Sequence, residues 1–245
     1  MMAVTAKAFQ LWRSRIAPND TVSEVCRTAG IKRSTLAQQL VRGKVSVGTI
    51  IAIARGYSRD PVQALAEFDG YQDLGSGLRP PTDAELVSQV SSIDILRILV
   101  ARSEDRERAG GTVELELAPF PHRHSVRAWV EAVDPGDLRQ SLAARTGVAR
   151  QNVSAQLTAG RLSPELAVEA ARIAGVSLTS GLVVTGLLTP AEGGWPGNGR
   201  ERALWALTDL ELVQLGRDRL EILGKQLRKA ELDDGQDQAI WENLG

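Results

Sequence analysis

At 245 residues, with 43% hydrophobic but only 4% aromatic residues and a net charge of −1, the chain suits two small aliphatic helical cores better than one large core. The single cysteine, Cys26, excludes an internal disulfide, and with two histidines it leaves no metal-ligand set and no expected cofactor. No apolar run approaches the ~20 residues that span a bilayer, and the start shows no basic stretch followed by an apolar one, so a cytoplasmic location and no membrane partner are expected.

Val4 to Ile16 reads as a first helix, with Phe9, Trp12 and Ile16 at three- and four-residue spacing. Thr21-x-x-Glu24 is a capping box that opens a short second helix to Ala29, and Gly30 ends it in a turn that tolerates positive φ. A third helix runs from about Arg33 to Val41 and closes at Gly43. Ser46 caps a fourth through Arg55, and Asp60-Pro61 starts a fifth to Phe68. After the loop Asp69 to Pro81, a longer trailing helix is predicted over Asp83 to Arg106. Thr112 to Leu117 alternates like a strand, but no partner strand is visible, which favours an extended linker.

The same order then returns. At an offset of 117 residues Trp12 pairs with Trp129, Gly30 with Gly147, Arg33 with Arg150, Gln39 with Gln156, Leu40 with Leu157, Gly43 with Gly160, Ser46 with Ser163 and Arg55 with Arg172. The second copy has its own signals: Asp137-x-x-Gln140 as an expected cap, Gly147 at the turn, Ser163-Pro164-Glu165 opening the fourth helix, and a fifth helix over Ser180 to Thr185. A connector, Pro190 to Arg200, leads to a second trailing helix, Asp209 to Ala230. Its leucines, Leu212, Leu215, Leu220, Leu223 and Leu227, fit either a coiled coil with a second copy of the chain or packing within the chain; Gly216 and Gly224 weaken a regular seam and favour the latter. The expected fold is therefore all-α: two homologous units in tandem, residues 1–108 and 126–235, a partly extended linker at 109–125 and an acidic tail at 236–245.

Charge is distributed unevenly. Between Thr21 and Arg59 seven cations face Glu24 alone; between Asp137 and Gly175 five arginines face three acids. Placing Leu36 and Leu40 inward on the third helix turns Ser34, Gln38 and Arg42 outward, with Thr35 at the edge and Arg33 leading. In the second copy Val153 and Leu157 point inward, while Gln151, Asn152 and Ala155 point outward behind Arg150. Gln and Asn pair with adenine, Arg with guanine, Ser and Thr with bases or phosphates, and a small Ala approaches a thymine methyl. The expected DNA-binding set is Lys32, Arg33, Ser34, Thr35, Gln38, Gln39, Arg42 and Lys44 in the first copy and Arg150, Gln151, Asn152, Ser154, Gln156 and Arg161 in the second. Trp12 and Trp129 read as core, Cys26 as a small buried residue, and His122 and His124 as linker residues.

On these glycine, small and apolar positions, residues 9 to 70 and 126 to 190 resemble the lambda-repressor/Cro-like helix-turn-helix family, in an arrangement similar to immunity repressors of actinobacterial phages and prophages. The glycine spacing of both copies, Gly30 to Gly43 and Gly147 to Gly160, is slightly longer than the family's. The resemblance implies a sequence-specific repressor of the bacterial nucleoid bound to an operator in double-stranded DNA, with phosphate contacts near Ser23, Arg139, Lys44 and Arg161. Because the outward faces differ, one chain is expected to read an asymmetric site with two heads on adjacent major grooves. The alternatives are an architectural nucleoid protein and a protein-interaction adaptor of antitoxin type. No nucleophile with a base and no phosphate-binding loop suggests an enzyme.

Overall fold

Helices begin where a side chain can satisfy the unpaired N–H groups of the first turn. The computed structural model describes residues 4–76, 78–108 and 116–242, and among these the chain is all-α apart from one two-stranded ribbon. That ribbon pairs Val4–Thr5 (β1) antiparallel with Lys44–Val45 (β2). The first helix, α1 (Ala6–Ile16), consequently starts two residues later than the apolar spacing predicts: the Thr5 hydroxyl accepts from Ala8 N–H at 3.2 Å and caps it. In α2 (Val22–Thr28) the capping box forms, with Thr21 N–H donating to the Glu24 carboxylate at 2.8 Å and Glu24 N–H to the Thr21 hydroxyl at 3.3 Å. Then follow α3 (Arg33–Val41), α4 (Val47–Gly56) capped by Ser46, and α5 (Pro61–Ala66), where the Asp60 carboxylate accepts from Val62 and Gln63 N–H.

The trailing segment predicted as one helix over Asp83 to Arg106 is two: α6 (Asp83–Ser88) and α7 (Ser92–Arg108). Ser91 breaks it, because its hydroxyl accepts from Asp94 N–H at 3.1 Å and donates to the Asp94 carboxylate at 2.7 Å, starting a new helix. Most of the Thr112 to Leu117 stretch lies outside the described residues.

The second copy supplies α8 (Ser125–Val133), α9 (Leu138–Thr146), α10 (Arg150–Thr158), α11 (Pro164–Ala174) and α12 (Ser180–Val184). Asp137 does not cap α9. Its carboxylate accepts from the Ser141 hydroxyl, and Asp134, brought round by Pro135 and Gly136, accepts from Leu138 N–H at 3.0 Å instead. The connector ends in a helix that its glycines and prolines do not predict, α13 (Gly199–Ala206), and α14 (Asp209–Glu242) continues past Ala230 through most of the expected acidic tail. No helix among the described residues is long and apolar enough to cross a membrane.

The repeat pattern divides the chain serially, near 108 and 126. By contact, the chain divides instead into one unit of residues 1–89 with 119–199, holding both copies, and a second of 90–118 with 200–245. In the first unit Phe9, Trp12, Leu36, Ile50, Ile53 and Leu65 are buried in one copy, and Trp129, Leu142, Val153, Leu166 and Leu182 in the other. The second unit is a helical hairpin: Arg102 of α7 bonds Asp209 at 2.9 Å and Gly216 of α14 lies against Ile95 and Leu99, so the two helices run antiparallel. Leu212 and Leu215 enter its core with Ile95, Ile98 and Leu204, whereas Leu220, Leu223 and Leu227 remain exposed. The leucine face of α14 thus packs on the first trailing helix along its N-terminal part.

Candidate nucleic-acid interface

The turn between α2 and α3 is held by its backbone: Ile31 N–H donates to Cys26 O at 2.9 Å, and Gly30 sits at φ +65°, a conformation that strains any residue with a Cβ. Gly147 takes φ +70° at the equivalent turn between α9 and α10. Cys26 is a buried residue of α2, and burial pushes its thiol above the ordinary range, which suits a packing residue. Leu36 is wholly buried and Leu40 half-buried, which fixes the rotation of α3.

That rotation leaves Lys32, Arg33, Ser34, Thr35, Gln38, Arg42 and Lys44 exposed, as the helical projection predicts. In the second copy Val153 and Leu157 are buried, and Arg150, Gln151, Asn152, Ala155 and Arg161 are exposed, with Ser154 half-buried at the edge. Ser23 and Arg139 are exposed near the starts of α2 and α9. Val41 is a residue to which the sequence pattern assigns no role, yet at 89% it is among the most exposed large apolar side chains described. It lies three residues beyond Gln38 on α3, and an outward Val at the end of an otherwise polar face is visible in the helical projection.

Two expected DNA contacts are committed inside the protein. Gln39 Oε1 accepts from Ser46 N–H and from the Thr49 hydroxyl, each at 3.0 Å, so its amide buckles α3 to the start of α4. Gln156 Oε1 accepts from Ser163 N–H at 2.9 Å in the same way. Each glutamine bonds the residue that opens the next helix. Identity at the same place in both copies, beside outward positions that differ, was the signal for this structural role.

The local charge also needs correcting. Arg55 makes a two-pronged pair with Glu192, at 2.7 and 2.6 Å, and donates to Leu187 O at 2.9 Å. The Arg55 guanidinium, helped by the N–H and hydroxyl of Thr189, holds the Glu192 carboxyl down to about 2 despite partial burial. Arg172 pairs with Asp73 at 2.6 Å and closely with Glu169, which also binds Arg145 at 2.9 Å. Among the described residues no ion pair engages Lys32, Arg33, Arg42, Lys44, Arg139, Arg150 or Arg161, and no group of acids, His and Cys is placed to hold a metal. Comparison of the chain with protein-family models, with curated proteins and with solved structures finds no match in any of the three.

Proposed function

We propose that this protein binds double-stranded DNA sequence-specifically and represses transcription, a nucleoid-acting regulator of the phage-immunity type, with α3 and α10 as the helices that enter major grooves. The observation that carries the reading is the outward face of α3. Arg33, Ser34, Thr35 and Gln38 are exposed without an ion pair, set on a helix whose rotation Leu36 fixes and whose exit Gln39 ties down. Rigid presentation of base-reading side chains is what direct readout requires. Val41 adds an apolar surface suited to a thymine methyl, and Lys44 and Arg42 flank the face as phosphate partners. The two faces read different bases, so one chain occupies two unlike half-sites.

Selection of bound sequences from a random duplex pool tests this, followed by titration of the selected site and of a scrambled duplex. Gln38→Ala should cost ~1 to 3 kcal/mol on the selected site and little on the scrambled one, while Lys44→Ala weakens both alike. Equal affinity of the unaltered protein for all duplexes would replace this reading by architectural coating of DNA. Failure to bind any duplex would leave the two motifs as scaffolding for protein contacts.

A further inference from the structure

The two copies contact one another reciprocally. Arg55, near the end of the fourth helix of the first copy, pairs with Glu192 in the connector after the fifth helix of the second. Arg172, its counterpart 117 residues on, pairs with Asp73 in the connector after the fifth helix of the first. A second set of positions behaves likewise. Gly48, at the start of α4, packs so near the other copy's connector that a Cβ added there would meet the Leu187 side chain at 3.6 Å. Glu165, the residue 117 places later at the start of α11, acts on Tyr71 of the first copy's connector: burial and then this carboxylate raise the phenol's proton affinity.

Such exchange discriminates between symmetries. When position i of one copy meets position j of the other and j also meets i, the operator relating the copies is a two-fold axis; a head-to-tail arrangement presents different positions on its two sides. The symmetry is approximate. Trp12 donates to Glu67 within its own copy, whereas Trp129 donates to Glu85 of α6.

Resting on the DNA-binding reading above, we infer that α3 and α10 are related by this approximate two-fold axis, so that the two unlike half-sites lie in inverted orientation on the duplex, although the copies follow one another head to tail in the chain. The chain is an internal dimer with unequal heads. Two helices related by a two-fold axis enter successive major grooves, about one turn or ~34 Å apart, with opposite polarity along the DNA. The site is therefore asymmetric in its bases and two-fold in its layout.

Giving both heads the same face makes the layout readable. In the full chain, Q151S/N152T/A155Q installs on α10 the residues found at Ser34, Thr35 and Gln38, and all three replaced positions are exposed. The converse variant, S34Q/T35N/Q38A, gives α3 the second face and guards against loss of either variant to misfolding. Selection from a random duplex pool, with the mass of each complex, should yield for each variant an inverted repeat of one half-site bound by a single chain. Swapping that inverted repeat for a direct repeat should lower affinity at least tenfold. A selected direct repeat, or a single half-site with no second element, would overturn the inverted layout while leaving DNA binding in place. If the unaltered protein selects no sequence, the DNA-binding reading itself falls, and the layout with it.

Discussion

Trp12 and Trp129 hold the same place in the repeat, yet replacing Trp129 by phenylalanine should destabilise the protein more than replacing Trp12. The Trp129 indole is wholly buried and its N–H donates at 3.0 Å to Glu85 Oε1, and Glu85 is itself 0% exposed. The other Glu85 oxygen is engaged by the Thr82 N–H and hydroxyl in the α6 capping box. Removing the indole N–H strips a buried acidic oxygen of its donor, a loss of ~1.5 to 3 kcal/mol for a hydrogen bond to a charged group, and the smaller ring adds ~1 kcal/mol of lost packing. Trp12 donates at 3.2 Å to Glu67, whose side chain is 38% exposed and pairs with Arg15, so water replaces the lost donor. Trp129→Phe should therefore cost ~2.5 to 4 kcal/mol and Trp12→Phe ~1 to 2 kcal/mol. Urea unfolding of the full chain followed by far-UV circular dichroism, with an unchanged m-value, measures the difference. Glu85→Met then closes a double-mutant cycle in which residues 85 and 129 should couple by ~1.5 to 3 kcal/mol. Equal costs for the two tryptophans, or a coupling near zero, would refute the assignment of the difference to the buried Trp129–Glu85 bond.

The glutamine buckles predict stability effects in place of base-selective ones. Gln39→Ala should cost ~1 to 2 kcal/mol for its two accepted bonds and Gln156→Ala about half that, read by urea unfolding, with any loss of DNA affinity the same on every duplex; a loss confined to one base position would return Gln39 to the reading face. The Arg55–Glu192 pair predicts acid sensitivity. Because Glu192 titrates at about 2 in the folded protein and near 4.5 in the unfolded chain, its contribution is fully present above pH 4.5 and is lost as the pH falls from there toward 2. Full conversion of that shift would be ~3 kcal/mol, but Arg55 is 42% exposed, and screening brings the expected value to ~1 to 2 kcal/mol. Between pH 5 and pH 3 the unaltered protein should lose about half of that, ~0.5 to 1 kcal/mol, more stability than Glu192→Gln; parallel pH curves would contradict it.

What was legible in the sequence is what local chemistry controls. The caps at Thr21, Ser46, Asp60 and Ser163, the glycine turns and the inward positions Leu36, Val153 and Leu157 follow from hydrogen-bonding types and helical period, and each holds. The cap at Asp137 failed because its carboxylate accepts from the Ser141 hydroxyl, while Asp134, brought round by the Pro135-Gly136 turn, takes the Leu138 N–H at the start of the helix. Nonlocal contacts were not legible. That Arg55 and Arg172 bind acids more than 90 residues away, and that both copies belong to one unit while their trailing helices form another, depends on packing that no window of sequence encodes. The repeat nevertheless carried a usable distinction. Shared positions such as Gln39 and Gln156, Ser46 and Ser163, and Arg55 and Arg172 serve structure, whereas the positions that differ, Ser34 against Gln151 and Gln38 against Ala155, face outward. Arg33 and Arg150 are the exception, shared and exposed at the leading end of the helix, which fits the contact proposed for both heads.

The same sorting of positions bears on the relative standing of the two heads. Counted along the sequence, the first copy is far more basic than the second, which suggests a mere packing role for the second. Arg55, however, is neutralised by Glu192 and contributes nothing to a groove-facing field. In the second copy one of the three acids, Glu169, is buried and already held by Arg145 and Arg172, and Asp137 is bonded to Ser141. What remains exposed without an ion pair among the described residues is Arg27, Lys32, Arg33, Arg42, Lys44 and Arg59 in the first copy, and Arg139, Arg150 and Arg161 in the second. Phosphate binding depends on cations available at the surface, since it is their contact with the backbone that releases counterions. On the proposed DNA-binding reading the first head therefore keeps the stronger phosphate-facing field, while the second retains three exposed cations beside its own set of outward side chains, which supports a role for it as the weaker of two readers.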